Sequence, residues 1–285
     1  MRTDSVGDIN PLRALHDRRA AFAVPEDVTF LNSAHIGPRL HAVRAAEKFA
    51  LDRWAMPWKL TGEDWFADTQ RLRELVGRLL LADAEAMAFV PSVSYAMAIV
   101  ARNVRVTRGQ SIVLIHEEFP SNYYAWETAA AAAGARLKIV VRAPSQSWPD
   151  ALVDAITDEA AVVSVPVCHW TDGALIGVER VGARARAMGA ALVVDASQSL
   201  GMLPLDAPAL DADFVIATGY KWLLGPFGLA YLYVAPRHRC GEPIEQAWPA
   251  REGSEDLSRL VEYRSSFRPG ARRFDAGEHQ NSLLL

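Results

Sequence analysis

Short apolar runs alternate with helical stretches along the chain from residue 86 onward. The runs predict strands at residues 87–90, 111–115, 137–141, 161–167, 191–194, 214–217 and 229–234. The stretches between them repeat apolar residues at helical spacing and predict helices at 92–103, 122–133, 149–156 and 178–188. Strands that alternate with helices predict an α/β fold, with a mostly parallel seven-stranded-type sheet that carries helices on both faces.

The pattern differs at the two ends of the chain. Before residue 86 it predicts a short strand at 28–31, a turn-rich loop at 32–38, and helices at 39–55 and 65–81. After residue 236 the periodicity is lost. We therefore expect an N-terminal arm over 1–25, a large domain over 26–236, and the start of a small C-terminal domain over 237–285. The chain stops on three leucines, which is typical of a helix whose remainder is absent, so we expect the chain to be truncated and the small domain to be largely missing.

Composition narrows the class of protein. A chain of 285 residues that is 51% hydrophobic can bury a substantial core. The formal net charge of -4 and the lack of a basic block argue against a nucleic-acid partner. Cys168 and Cys240 are too few for a disulfide framework, and the longest apolar stretch is far too short to span a membrane. We expect a cytoplasmic protein with no membrane partner.

Ligands of parallel α/β sheets bind beyond the carboxyl ends of the strands, so candidate site residues are sought in the loops that follow the predicted strands. Ser92, Val93 and Ser94 open a helix, where free N–H groups bind anions, although Ser is also an ordinary helix cap. Phe119 offers a ring face to a flat ligand, or else it fills the core. His169 either contacts a ligand or is a structural histidine.

Two charged residues in these loops point to a specific chemistry. Lys221 is one of only four lysines, and it stands between two aromatic residues at the end of an apolar run. A desolvated lysine can lose its proton and attack a carbonyl carbon, while the alternative is a lysine that reaches solvent. Asp195 ends an apolar strand, where a carboxylate needs a cation, and Gln198 follows three residues later. With no second carboxylate cluster beside Asp195, we predict a cationic ligand and no metal.

A carboxylate, an aromatic face, an anion-binding helix start and a reactive lysine match the needs of one cofactor, pyridoxal phosphate (PLP). In its enzymes a lysine forms a Schiff base and a carboxylate keeps the pyridine nitrogen protonated. A nicotinamide cofactor would instead require Gly-x-Gly-x-x-Gly after a first strand, and the sequence has none. The sequence therefore predicts a PLP site.

Asp195-x-x-Gln198 and Thr218-x-Tyr220-Lys221 resemble the class V aminotransferase family of fold-type I PLP enzymes. This family includes cysteine desulfurases, kynureninases and isopenicillin epimerase-like proteins, and the similarity runs over about residues 28–281. The resemblance implies that Lys221 is the Schiff-base lysine and proton shuttle. It also implies that Asp195 pairs with the pyridine nitrogen and that Gln198 contacts the ring hydroxyl.

The same resemblance implies contacts for the remaining candidates. It places seven further residues at the cofactor: Ser92, Val93, Ser94, Phe119, His169, Thr218 and Tyr220. The serine turn and Thr218 would hold the phosphate, with Tyr220 reaching it, and Phe119 would stack on the ring. Phe119 and Tyr220 match the kynureninase version of the pattern and lean away from a desulfurase.

The resemblance also implies a reaction class and a partner. The expected substrate is a small amino acid or amine, transformed at its α-carbon by transfer, elimination or epimerisation. The expected assembly is a homodimer. Glu278 stands where relatives have a threonine that reaches the neighbouring subunit's phosphate, which leaves that contact open. The alternative is a truncated, non-catalytic remnant that binds PLP or a partner.

Overall fold

The computed structural model describes residues 18–277. Within them a seven-stranded sheet forms in the order β1-β7-β6-β5-β4-β2-β3. The strands are β1 (Met87–Val90), β2 (Ser111–Ile115), β3 (Arg136–Val140), β4 (Ala160–Pro166), β5 (Ala191–Asp195), β6 (Phe214–Thr218) and β7 (Ala230–Val234). The helices are α1 (His41–Trp54), α2 (Ala67–Leu79), α3 (Val93–Asn103), α4 (Pro120–Ala133), α5 (Trp148–Ala155), α6 (Val178–Ala187) and α7 (Ala207–Leu210).

The sheet is mostly parallel, as predicted. Strand β7 runs antiparallel to its neighbours β1 and β6, while the pairings among β6, β5, β4, β2 and β3 are parallel. The predicted strands and helices after residue 86 all form, with bounds that shift by two residues at most. The predicted helices at 39–55 and 65–81 form as α1 and α2. The short helix α7 was not predicted.

Helices cover both faces of the sheet. Successive strand side chains point to opposite faces. Val193 therefore packs in a core cluster with Trp126 of α4, while the next residue, Val194, packs in a second cluster with Leu152 of α5. These two apolar layers bury the strands completely except at β3 and the start of β5, which fixes where each strand ends and where its loop begins.

The predicted strand at 28–31 is wrong. These residues run as irregular chain, and Leu31 is 85% exposed. A four-residue apolar run is a weak strand signal, and none of the seven strands of the sheet pairs with it in the described residues. The loop that follows does reach the sheet: the Gly37 N–H donates to the Tyr220 carbonyl at 2.8 Å, and a side chain at Gly37 would collide with the Lys221 carbonyl oxygen.

The segment after β7 consists of short 3-10 turns and irregular chain that folds back on the sheet. The Asp275 carboxylate accepts from the Phe89 N–H at 2.8 Å and pairs with the buried Arg73 at 2.7 Å. The Ala276 N–H donates to the Phe89 carbonyl. These bonds tie the segment to the free edge of β1. The predicted boundary at residue 236 stays a prediction.

Parts of the predictions fall outside the described residues. These are most of the N-terminal arm, the substitution at Glu278 and the terminal leucines. Among residues 18–277, no helix has the length and apolarity that crossing a bilayer requires.

Candidate active site

A cavity of about 240 Å³ opens at the carboxyl ends of the parallel strands. Its wall is built from the loops after β1, β2, β4, β5 and β6, so residues far apart in sequence meet there. The cavity lining includes every predicted cofactor-binding residue except His169: Ser92, Val93, Ser94, Phe119, Asp195, Gln198, Thr218, Tyr220 and Lys221. The cavity thus lies where the crevice rule for parallel sheets expects a ligand.

One end of the cavity is the N-terminus of α3. Ser92 caps this helix, because its hydroxyl accepts from the Tyr95 N–H at 3.2 Å, and it lies 2.9 Å from the Ser94 hydroxyl. Ser92 therefore caps the helix and also lines the cavity, and its role in binding an anion stays a prediction. The positive end of the helix dipole and two hydroxyls favour an anion at this end.

Asp195 lies in the wall at the end of β5 and is 9% exposed. Its Oδ1 accepts from the Ser197 N–H at 2.8 Å, and its Oδ2 accepts from the Asn122 side-chain amide at 2.9 Å. Both donors are neutral, and no ion pair to Asp195 forms within residues 18–277. A buried carboxylate held by neutral donors still favours a cation in the cavity beside it.

Lys221 follows β6 and is 9% exposed. Its Nζ lies 5.5 Å from the centroid of the Phe119 ring and makes no hydrogen bond within the described part of the chain. Burial lowers the pKa of Lys221, against a smaller opposing effect of the Asp195 charge. A lower pKa enlarges the fraction of free amine, which is the form that attacks a carbonyl carbon.

The turn around Lys221 is tightly defined. The Gly219 N–H donates to the Leu229 carbonyl, and the Gly225 N–H donates to the Gly219 carbonyl at 2.8 Å. Leu224 adopts a φ of 58°, which is uncommon for a residue with a side chain. The glycines that break the chain after Lys221 therefore close a compact turn, and this turn fixes the lysine at the cavity wall.

Gln198 and Tyr220 line the cavity. Contacts with other side chains and with the backbone fix the orientation of both. The Gln198 Oε1 accepts from the Trp222 indole at 2.9 Å, and its amide donates to the Ala34 carbonyl at 3.1 Å. The Tyr220 ring stacks on Phe227 with centroids 3.8 Å apart. Trp222 and Phe227 were not predicted, and their only sequence signal is their place in the same aromatic-rich loop.

The structure does not bring His169 to the cavity. Its ring is buried, stacks on Trp148, and bonds the His116 carbonyl at 3.0 Å and the Thr171 hydroxyl at 2.8 Å. Both ring nitrogens are occupied by protein groups, so His169 is the structural histidine that the sequence left open. Its neighbours Cys168 and Trp170 line the cavity instead.

Cys168 is poorly suited to act as a nucleophile. Burial, with a contribution from the nearby Asp172 charge, raises the pKa of the Cys168 thiol. The thiol donates to the Gly173 carbonyl at 3.3 Å. A raised pKa reduces the reactive thiolate, so the lysine is the nucleophile that this cavity favours.

Sequence reasoning missed two polar residues behind the cavity, Glu118 and Asn122. Glu118 lines the cavity directly before Phe119, and Asn122 contacts Asp195 from the first turn of α4. Asn122 and Asp195 are 73 residues apart, and spacing of that kind has no signal in one sequence.

The cavity fits PLP by the chemistry of its lining. It combines a lysine whose pKa is lowered by burial, a carboxylate held by neutral donors, an aromatic ring and a helix N-terminus. These suit, in turn, an aldehyde, a protonated ring nitrogen, a flat ring and a phosphate. The four groups face one cavity, which makes the match specific.

The fold is that of the fold-type I PLP enzymes. A solved structure of a C-DES mutant, with glycine covalently linked to its PLP cofactor, matches with a TM-score of 0.83. The two chains are 18% identical, and the match covers 94% of this chain and 71% of that one. The predicted fold class is confirmed.

This chain belongs to the class V aminotransferase family, whose sequence pattern matches residues 60–281. It is 29% identical to kynureninase from Deinococcus radiodurans over 93% of this chain and 65% of the relative. It is 32% identical to a probable cysteine desulfurase from Methanothermobacter thermautotrophicus, over 58% of this chain and 41% of the relative. The chain therefore spans less than two thirds of these relatives. The predicted family is confirmed, and with it the predicted cofactor at the level of the family.

Proposed function

We propose that this protein is a PLP-dependent enzyme that acts at the α-carbon of a small amino acid or amine. The observation that carries the proposal is the common cavity of Lys221 and Asp195, with the N-terminus of α3 at one end. Bound PLP would supply an electron sink for the bond that is broken at the α-carbon. The other requirements fall to side chains of this chain.

Lys221 would hold the cofactor covalently and then move a proton at the substrate α-carbon. Its lowered pKa favours both tasks, because each begins with a neutral amine. The wall around it limits access of water, since Lys221 as a residue is 9% exposed and its amine lies beside the Phe119 ring. Phe119 would stack on the cofactor ring.

Asp195 would keep the ring nitrogen protonated, and Gln198 would contact the ring hydroxyl. The phosphate would lie at the start of α3, where it meets N–H groups, hydroxyls and the helix dipole. The residues proposed to hold it are Ser92, Val93, Ser94, Thr218 and Tyr220. Thr218 is buried at the end of β6, next to the lysine turn.

The site residues do not select between transfer, elimination and epimerisation, because all three reactions begin with the same proton movement at the α-carbon. A second candidate function is PLP binding without turnover. It is favoured by one observation: among residues 18–277, no arginine lines the cavity to bind a substrate carboxylate. Turnover of amino acids by the purified chain would exclude this second candidate.

We further propose, from the family resemblance, that the enzyme is a cytoplasmic homodimer. Light scattering of the purified protein at micromolar concentration should give twice the 31.2 kDa mass of the chain. A monomer at all concentrations tested would contradict this.

The experiment for the proposed function is a spectroscopic titration with PLP. The wild-type chain should develop the visible absorbance band of a lysine–cofactor linkage, and Lys221→Ala should abolish it. Lys59→Ala is the matched control, since Lys59 is exposed and should leave the band unchanged. A folded wild-type chain that shows no band with added PLP would overturn the proposal.

A further inference from the structure

Glu118 is a buried acid in the cavity wall, and the proposed mechanism assigns it no role in binding PLP or in moving a proton. It is 8% exposed and lies at the end of the loop that follows β2. Its Oε1 accepts from the Phe119 N–H at 2.8 Å and from the Asn122 amide at 3.2 Å. Its Oε2 is buried without a hydrogen-bond partner in the described part of the chain. A buried, half-satisfied carboxyl group calls for an explanation.

Asn122 links Glu118 to Asp195. The Asn122 side-chain nitrogen carries two hydrogens, and it lies 2.9 Å from Asp195 Oδ2 and 3.2 Å from Glu118 Oε1. One hydrogen is available for each acid, which fixes which way the amide points. Asn122 is 1% exposed, so water does not compete for these bonds. The position of the Asp195 carboxylate therefore depends on Glu118 through one amide.

The two acids cannot both be ionised at low cost, because they are buried and share one neutral donor. Burial, and then the Asp195 charge, raise the pKa of Glu118 to about 8, although the bonds from Phe119 and Asn122 oppose this. Oε1 already accepts two N–H bonds and Oε2 has no partner in the described part of the chain, so Oε2 is the oxygen that would carry the proton of a neutral Glu118.

Other titratable groups share the cavity. Cys168 lines it from the loop after β4, and Tyr220 and Lys221 line it from the turn after β6. Of the groups in the wall, Asp195 is the one whose charge acts on Glu118. The charge on Lys221 is coupled to Asp195 as well. The raised pKa of Glu118 thus favours its neutral form beside Asp195.

We propose that Glu118 is a protonated positioning residue, which acts through Asn122 to hold the Asp195 carboxylate in place for the cofactor's ring nitrogen. Its proton also keeps a second negative charge out of the cavity. The positioning part of this inference rests on the proposed PLP function. The protonation part does not, because it concerns the chain alone.

Infrared difference spectroscopy tests the protonation. The wild-type chain at pH 7 should show the carbonyl band of a protonated carboxyl group, and raising the pH should remove it with a midpoint near the pKa of about 8. Glu118→Gln should lack the band, whereas Glu117→Gln, a change at the exposed neighbour, should keep it. If the wild-type chain and Glu118→Gln show the same spectrum in the region of protonated carboxyl groups, the proposal is overturned.

Urea unfolding gives a second measure of the same proton. Because the folded-state pKa of Glu118 lies above the ordinary 4.5, its contribution to the free energy of unfolding is full below pH 4.5. This contribution is lost as the pH rises to about 8. The urea midpoint of the wild-type chain should therefore fall over this window relative to that of Glu118→Gln. Parallel profiles for the two proteins would contradict a raised pKa.

Cofactor titration tests the positioning. Glu118→Ala should weaken PLP binding by about tenfold, while Glu118→Gln, which keeps a neutral acceptor in place, should stay within about twofold of wild type. Equal binding by Glu118→Ala and wild type, or equally weak binding by both variants, would overturn the positioning role. If Glu118→Ala does not fold, Asn122→Ala breaks the same link and is judged by the same criterion. A wild-type chain that binds no PLP would overturn the proposed function, and the infrared band would still decide the protonation.

Discussion

Asp195 and Asp213 are two buried aspartates at opposite ends of neighbouring strands, and they are held in contrasting ways. They are 9% and 6% exposed, respectively. The Asp213 carboxylate accepts from the Arg237 Nε at 2.6 Å and the Leu192 N–H at 2.7 Å, and it lies 2.6 Å from His238 Nε2. Among residues 18–277, the hydrogen-bond donors to Asp195 are neutral: a backbone N–H and a side-chain amide.

The pKa of Asp213 reflects this difference. Burial by itself raises it, but the bonds from His238, Arg237 and the Leu192 N–H outweigh burial and lower the pKa to about 2. Asp213 is thus neutralised inside the chain and serves the fold. Asp195 lines the cavity and has no ion pair within residues 18–277. We propose that the difference separates a structural carboxylate from one that serves the cofactor, at similar burial.

The largest expected effect is on stability, at Asp213. Asp213→Ala should lower the free energy of unfolding by about 3 kcal/mol, because Arg237 and His238 lose a buried partner. Asp211→Ala is the matched control: Asp211 pairs with the same arginine at the surface, and its loss should cost under about 1 kcal/mol. Urea denaturation measures both, and equal losses would remove the basis of the comparison.

Asp195 should show the opposite profile. Asp195→Ala should weaken PLP binding by roughly 100-fold, which is about 2.7 kcal/mol, because the ring nitrogen loses its counter-charge. The free energy of unfolding of this variant should fall by only about 1–2 kcal/mol, because two neutral donors are left without an acceptor. PLP titration and urea denaturation of the same preparation test this. Binding within threefold of wild type would show that Asp195 does not face the cofactor.

The acid limb of the stability profile should depend on Asp213. Its folded-state pKa lies below the ordinary value of 3.8, so its contribution is present above pH 3.8 and is lost as the pH falls through about 2. The difference in unfolding free energy between wild type and Asp213→Asn should shrink by about 2 kcal/mol from pH 5 to pH 2. Unfolding curves across this range measure it, and a constant difference would be inconsistent with the lowered pKa.

The smallest expected effect concerns the aromatic wall. Phe119→Leu keeps an apolar side chain but removes the ring, and it should weaken PLP binding by about three- to tenfold. The same titration measures it, with Phe49→Leu at an exposed position as the control. An unchanged affinity would mean that Phe119 fills space without stacking.

Much of the fold could be predicted from the sequence because the local signals were strong. Buried parallel strands are continuous apolar runs, and they alternate with helices that repeat their own period. The predicted strands also indicated the cavity residues, because ligands of parallel sheets bind beside the loops that follow the carboxyl ends of the strands. Lys221 and Asp195 were found this way, each at the end of an apolar strand.

The remainder depended on contacts between distant segments. The run at 28–31 had the composition of a strand but forms irregular chain, and His169 lies in the expected loop with its ring hydrogen-bonded to protein groups. The link from Glu118 through Asn122 to Asp195 joins two loops 73 residues apart. Local patterns indicate which residues reach the crevice, and packing decides which way their side chains face.

The central claim is that Lys221 is the residue that binds PLP covalently. Borohydride reduction of the PLP-treated chain, followed by peptide mass mapping, tests it directly, because the chain has only four lysines and the other three serve as internal controls. The account predicts that the cofactor mass is found on the peptide that contains Lys221. Labelling confined to Lys48, Lys59 or Lys138, or no labelling at all, would contradict it.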